Sequence, residues 1–202
     1  MNEKEMDRLL HIKTEGTLEL MNQSVHYNRY EATPYEALKE LFHHYGPTEG
    51  RIVDIGCGKG RLSFYAHHHF QLASIGIEMS GKLYQDALEN LQSYDKSGKK
   101  TNGLITFERG LAQDYEIDSR DQVFYFFNPF SVQIFMKVVE NILQSVDRQK
   151  RAIDLILYYP TAEYIQFLEM RTTFDLFKEV RVPGLYEQND NERFMIFRLK
   201  DV

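Results

Sequence analysis

Arg51-Ile-Val-Asp-Ile-Gly-Cys-Gly-Lys-Gly-Arg61 is a short apolar run that breaks into three glycines at alternate positions. Ile52, Val53 and Ile55 are β-branched, the residue type that fills a central parallel strand buried on both faces. Asp54 therefore falls where that strand ends. Gly56, Gly58 and Gly60 supply a tight turn free of Cβ atoms, over which a ligand can lie directly against backbone. Arg61 to Phe70 reads as the helix that follows. A glycine loop at the carboxyl end of a strand points to a nucleotide-like cofactor. The spacing is wrong for the dinucleotide fingerprint, whose third glycine would stand where this chain has Arg61. The run also lacks the Gly-Lys-Ser/Thr ending of a P-loop.

A second strand, within Ala73-Ser-Ile-Gly-Ile-Glu-Met-Ser80, ends in Glu78. That lies roughly twenty residues downstream, where a nucleotide fold carries its ribose-binding acid. A carboxylate there accepts hydrogen bonds from both ribose hydroxyls. The pattern Asp54-x-Gly56-x-Gly58-x-Gly60 followed by Glu78 resembles motif I and the ribose acid of the class I S-adenosylmethionine-dependent methyltransferases. The resemblance implies S-adenosyl-L-methionine as cofactor. It places Asp54, Gly56, Cys57, Gly58 and Gly60 against that cofactor, Glu78 on its ribose and Met79 on its adenine.

Two further stretches extend the resemblance. Tyr30 and Thr33, in Asn28-Arg-Tyr-Glu-Ala-Thr-Pro-Tyr35, match a segment that closes over the methionine end of the cofactor in several such enzymes. The bland alternative is helix capping and core packing: Thr33 is a credible N-cap with Pro34 at the first helical position, and Gly46 and Pro47 stop the helix near His44. After the third strand, Leu104-Ile-Thr-Phe-Glu-Arg, many relatives carry an acid straight after the glycine to hold the adenine amino group. This chain has Leu111 there. Leu111 and Ala112 would then flank the adenine while backbone groups make the polar contacts, or Asp114 would substitute; both readings stay open.

The fourth strand, in Asp121-Gln-Val-Phe-Tyr-Phe-Phe-Asn-Pro-Phe130, breaks at Asn128-Pro129-Phe130. These residues resemble the Asn/Asp-Pro-Pro-Tyr/Phe motif of amino-methylating enzymes, with one proline instead of two. The match implies a catalytic role for Asn128 and Pro129 as acceptors of the amino hydrogens, and for Phe130 as a stacking surface. A plain strand-ending Asn-Pro turn is the alternative. Tyr158, Tyr159 and Tyr186 are candidates to line the acceptor's path.

The remaining pattern completes an α/β architecture. Helices are expected over Gly81 to Tyr94, capped by Ser80, over Ser131 to Val146, and from a Thr161 cap to about Met170. Ala152 to Tyr159 reads as a fifth strand, and Phe174 to Val182 with Phe194 to Leu199 as a hairpin. The expected fold is a Rossmann-like, mostly parallel seven-stranded sheet with helices on both faces and an antiparallel C-terminal edge hairpin. Residues 1–30 read as a short helical extension or cover, and residues 31–202 as the methyltransferase domain.

Composition bounds the function. The chain has 202 residues, 43% hydrophobic, with a formal net charge of −6, so no overall basic field draws in a long nucleic-acid backbone. Cys57 is the only cysteine, which rules out an internal disulfide and suits a reducing compartment. No apolar window reaches membrane-spanning length, and the expected location is cytoplasmic. His67, His68 and His69 are consecutive, so on a helix they point about 100° apart and cannot converge on one metal ion. The expectation is a methyltransferase acting on a nitrogen of a nucleobase, a protein side chain or a small molecule. A catalytically idle cofactor-binding protein on the same fold and a nicotinamide-dependent oxidoreductase are the alternatives.

Overall fold

The computed structural model describes residues 2–16, 30–46 and 50–199. Pro47 and much of the expected N-terminal extension lie outside them. Seven strands form one sheet: β1 (Arg51–Ile55), β2 (Ser74–Glu78), β3 (Ile105–Arg109), β4 (Asp121–Phe127), β5 (Ile153–Tyr158), β6 (Asp175–Arg181) and β7 (Arg193–Leu199). Their spatial order is β3-β2-β1-β4-β5-β7-β6. Strands β1 to β5 run parallel, while β7 enters antiparallel between β5 and β6. The order reverses between β1 and β4, and ligands of open α/β sheets bind at the carboxyl side of such a switch point.

Alternation along the strands splits the core into two layers. Ile52, Tyr125, Ile156 and Phe194 face helices α2 (Tyr35–His44) and α3 (Arg61–Phe70), with Tyr94 from α4 (Gly81–Lys96). Val53, Ile55, Phe124 and Phe126 face α5 (Val132–Arg148) and α6 (Ala162–Arg171). Phe64, Phe124, Phe126 and Phe135 are fully buried, and each such ring stabilises the fold by about 1.5–3 kcal/mol. The Phe135 and Tyr164 rings stack at 3.8 Å, joining α5 to α6.

The helix signals hold at α4 and α6. Ser80 Oγ accepts from the Leu83 N–H and Thr161 Oγ1 from the Tyr164 N–H. At α2 the expectation needs correction. Pro34 occupies the cap position with no side-chain cap, and the helix begins at Tyr35. The Thr33 hydroxyl is drawn instead to the Tyr125 hydroxyl, 2.7 Å away and buried, because a phenol sealed in the core needs a partner more than an accessible helix end does. Glu3 supplies the missing cap, its Oε1 accepting from the Tyr35 N–H at 3.0 Å.

Glu3 belongs to helix α1 (Glu3–Leu10), which opens with a reciprocal capping box between Asn2 and Glu5. Leu10 and Ile12 are buried in the same layer as α2 and α3, so residues 2–16 are packed into the fold. Among the described residues no helix is long and apolar enough to cross a membrane.

Candidate active site

The turn after β1 is shaped by what touches it. Gly56 has φ +78°, and a Cβ there would lie 2.8 Å from Pro129 Cβ. Gly58 has φ +55°, and a Cβ would meet Tyr30 Cε2 at 2.1 Å. Both sites combine left-handed backbone with a covered face, so only glycine fits. Gly60 lies against the Phe107 ring. The Gly56 and Cys57 N–H groups donate to the Ile77 carbonyl at 2.9 and 3.1 Å, fixing the turn to β2. The Cys57 side chain packs over Gly76 of β2. Its thiol is held well above the ordinary range, chiefly by burial and then by the charges of Asp54 and Glu78.

Two carboxylates frame this loop. Glu78 is 6% exposed; its Oε2 accepts from the Gly58 N–H at 2.9 Å and its Oε1 from the Ser80 N–H at 2.7 Å. Burial raises its pKa, and the backbone donors at Ser80, Gly58 and Met79 pull the other way. Asp54 is 4% exposed and, unlike Glu78, has no hydrogen bond or ion pair to any described residue. Burial, and secondarily the charge of Glu78, lift its pKa to about 8. A buried carboxylate without a donor is costly, and the charge of the neighbouring Glu78 adds to the cost at Asp54.

Beyond Glu78 the site becomes apolar. Met79 and Leu111 are each 38% exposed, among the few large hydrophobic side chains that face solvent. They follow adjacent strands, joined where the Gly110 N–H donates to the Glu78 carbonyl at 3.1 Å. Ala112 begins a short 3-10 turn through Asp114, whose side chain is exposed.

On the other side of the switch point, Asn128 leaves β4 with φ +39° and Tyr159 leaves β5 with φ +53°. Phe127 and Tyr158 are paired in register, so these left-handed residues are neighbours across the sheet. Pro129 rests on Gly56, which joins the Asn-Pro turn to the glycine loop. Phe130 is 3% exposed, its ring edge-on to Phe126 at 6.3 Å and its carbonyl accepting from the Tyr164 hydroxyl. The face expected for stacking is thus occupied by the core. Tyr158 is also buried, bonded to Glu192. Tyr159 is half-buried and its hydroxyl accepts from Asn189 Nδ2 at 2.6 Å. Tyr186 lies under the Arg181 guanidinium at 4.7 Å.

The structure brings the sequence candidates Asp54, the glycines, Glu78 and Asn128-Pro129 to one edge, and places Tyr30 on Gly58 and Thr33 beside Tyr125. Sequence reasoning did not foresee the last two contacts. It missed Arg61, Thr14 and Asp7, which tie residues 2–16 to the loop. The one available signal was the arginine that breaks the dinucleotide spacing. Among the described residues no group of three His, Cys, Asp or Glu side chains is arranged to hold a metal. His67 is buried with its Nδ1 2.9 Å from the Tyr94 hydroxyl.

No family model matches the sequence, and no curated protein matches it either. Solved structures do. An RNA methyltransferase from Salinibacter ruber in complex with S-adenosyl-L-homocysteine is 16% identical with a TM-score of 0.55, covering 83% of this chain and 92% of its own. TrmK of M. capricolum, in complex with S-adenosyl-homocysteine, is 13% identical with a TM-score of 0.55, covering 81% and 67%. A protein of the NADB-Rossmann superfamily from Streptococcus agalactiae is 14% identical with a TM-score of 0.56, covering 85% and 69%. The fold is therefore the Rossmann-like, seven-stranded fold shared with class I methyltransferases.

Proposed function

We propose that this chain is an S-adenosylmethionine-dependent methyltransferase that modifies a nitrogen. The observation that carries the reading is Asp54: a buried carboxylate with no donor among the described residues, next to Glu78, at the switch point of the sheet. Such a pair suits a ligand bringing positive charge and hydroxyl donors. It disfavours the anionic pyrophosphate of a nicotinamide dinucleotide. In this reading Asp54 faces the cationic methionine end, Glu78 accepts from the ribose hydroxyls, and Met79, Leu111 and Ala112 flank the adenine. Gly56, Cys57, Gly58 and Gly60 form the floor, and Tyr30 and Thr33 contribute to the roof.

When bound, S-adenosylmethionine supplies a methyl group already activated by its sulfonium. The protein then has to exclude water, align the acceptor and keep its lone pair free, which is catalysis by orientation and electrostatics. Asn128 and Pro129 meet that need. An amide is no general base near neutral pH, but the Asn128 side-chain oxygen and the Pro129 carbonyl can accept both hydrogens of an amino group and turn its lone pair toward the methyl. The acceptor class we favour is a nucleobase amine, in line with a structural neighbour named as an RNA methyltransferase. A lysine amine arrives protonated, with a pKa of about 10.4, and would first have to lose that proton.

The test uses methyl-labelled cofactor with separated cell fractions, followed by single-turnover rates on the fraction that takes the label. Asn128→Gly keeps the left-handed turn while removing the amide, and should cut the rate by about 10²-fold with cofactor affinity nearly unchanged. Asn128→Asp retains an acceptor oxygen and part of the rate. Equal rates in all three proteins would reduce Asn128-Pro129 to a strand ending.

A further inference from the structure

The glycine loop is tied to its own cover through a closed circuit. Arg61, in the first turn of α3, is 5% exposed, and its Nε donates to Thr14 Oγ1 at 2.7 Å. The Thr14 carbonyl accepts from the Tyr30 hydroxyl at 2.8 Å. The Tyr30 ring then lies on Gly58, so close that a Cβ at that glycine would be 2.1 Å from the ring. Gly58 leads within three residues back to Arg61. Each link is buried, and it joins parts of the chain that local sequence does not connect.

A second layer of contacts holds the circuit shut. One Arg61 nitrogen also donates to the Thr33 carbonyl at 3.0 Å and to Glu3, and the guanidinium lies 4.3 Å above the Tyr35 ring. Asp7 accepts from the Thr14 N–H at 2.5 Å, from the Thr14 hydroxyl at 2.6 Å and from the Tyr35 hydroxyl at 2.6 Å. The Lys59 ammonium donates to the Glu15 carbonyl at 2.9 Å. Asn90 of α4 pairs with the Lys13 backbone, accepting at 2.8 Å and donating at 3.3 Å. Residues 2–16 are therefore clamped between the loop and α4.

From this geometry we infer that Thr14 and Arg61 are positioning residues that latch Tyr30 over the glycine loop, and that cofactor exchange requires this latch to open. The inference rests on the cofactor reading above. The Tyr30 ring already fills the space over Gly58, so a ligand can settle on that backbone only by moving the ring or passing beneath it. Neither Thr14 nor Arg61 is among the residues assigned to touch the cofactor. Their effect would travel through Tyr30. With the ring latched again once the ligand has passed, entry and exit share the same open state, so loosening the latch raises both rates together while their ratio stays nearly fixed.

Surface plasmon resonance with S-adenosylhomocysteine tests this on the full chain. Thr14→Val removes the oxygen held by Arg61, and should raise kon and koff together by about three- to tenfold, the range of one lost hydrogen bond. Thr14→Ser restores the oxygen and should restore both rates. Tyr30→Phe keeps the ring, removes its tie to Thr14 and should match Thr14→Val, giving a second variant if the first folds poorly. Lower thermal stability in Thr14→Val and Tyr30→Phe with unchanged rates would overturn the latch and leave a structural clasp. Hydrogen exchange in the ligand-free protein adds a readout that needs no cofactor. The Gly58 and Arg61 amides should exchange faster in both variants, and unchanged protection would contradict the latch. No binding of S-adenosylhomocysteine by the wild-type chain, with faster exchange in the variants, would instead remove the cofactor reading.

Discussion

Asp7 and Asp54 are both buried aspartates, on either side of the glycine loop, and they are treated in opposite ways. Asp7 is saturated: two N–H groups and two hydroxyls donate to it, and the Arg61 guanidinium stands 4.0 Å away. Asp54 has nothing among the described residues, and its pKa rises to about 8. The fold is able to supply a buried carboxylate with every partner it needs. At the carboxyl edge of β1 no described residue does so, and on the function proposed above the cofactor supplies the missing partner. The Asp7 region is finished by the protein; the Asp54 region, on that proposal, is finished by its ligand.

The contrast can be broken by one substitution on each side. Asp7→Asn removes the charge that four donors share while Arg61 keeps Glu3, and should destabilise the protein by about 3–5 kcal/mol, since hydrogen bonds to a charged group are each worth about 1.5–3 kcal/mol. Thermal or urea unfolding measures it, and a loss within experimental error would mean that the network at Asp7 is ornamental.

Asp54→Asn should have the smaller effect and the opposite sign. A folded-state pKa raised from 3.8 to about 8 means that the native protein holds a proton the unfolded chain releases. Stability is then fully present below the unfolded value, falls as pH rises through the window, and levels off above the folded value. Asparagine does not titrate. The ligand-free Asp54→Asn protein should match wild type near the lower limit, gain on it as pH rises, and exceed it by roughly 1 kcal/mol or more above the upper limit. The same variant should bind S-adenosylhomocysteine more weakly, because asparagine cannot ionise to meet the ligand's ammonium group. Stability gained and affinity lost together mark a functional carboxylate; destabilisation at every pH would place Asp54 in the same category as Asp7.

The two regions also differ in how far they could be read from sequence. The loop at Asp54 is local: strand residues, three glycines and an acid at the end of the next strand lie in order along the chain, and each carries a steric or electrostatic reason that survives without tertiary information. The clasp at Asp7 is not. Arg61 reaches Glu3, Thr14 and Thr33 across 58, 47 and 28 residues, and no periodicity announces such contacts. Thr33 shows the same limit, since Thr-Pro reads as a helix start until Tyr125 is known to need its hydroxyl. At Phe130 the sequence predicted the break after β4 but not which way the ring turns, and it turns into the core. Strand order and the terminal hairpin were legible because alternation, proline and glycine mark them directly.

Isothermal titration of S-adenosylhomocysteine into wild type and Glu78→Ala, with NAD as the comparison ligand, tests the central claim most directly. Saturable binding to wild type is expected, weakened by roughly 1.5–3 kcal/mol in the variant through loss of charge-assisted hydrogen bonds, with no heat from NAD. Wild-type affinity in the Glu78 variant, or binding of NAD in place of S-adenosylhomocysteine, would contradict the account.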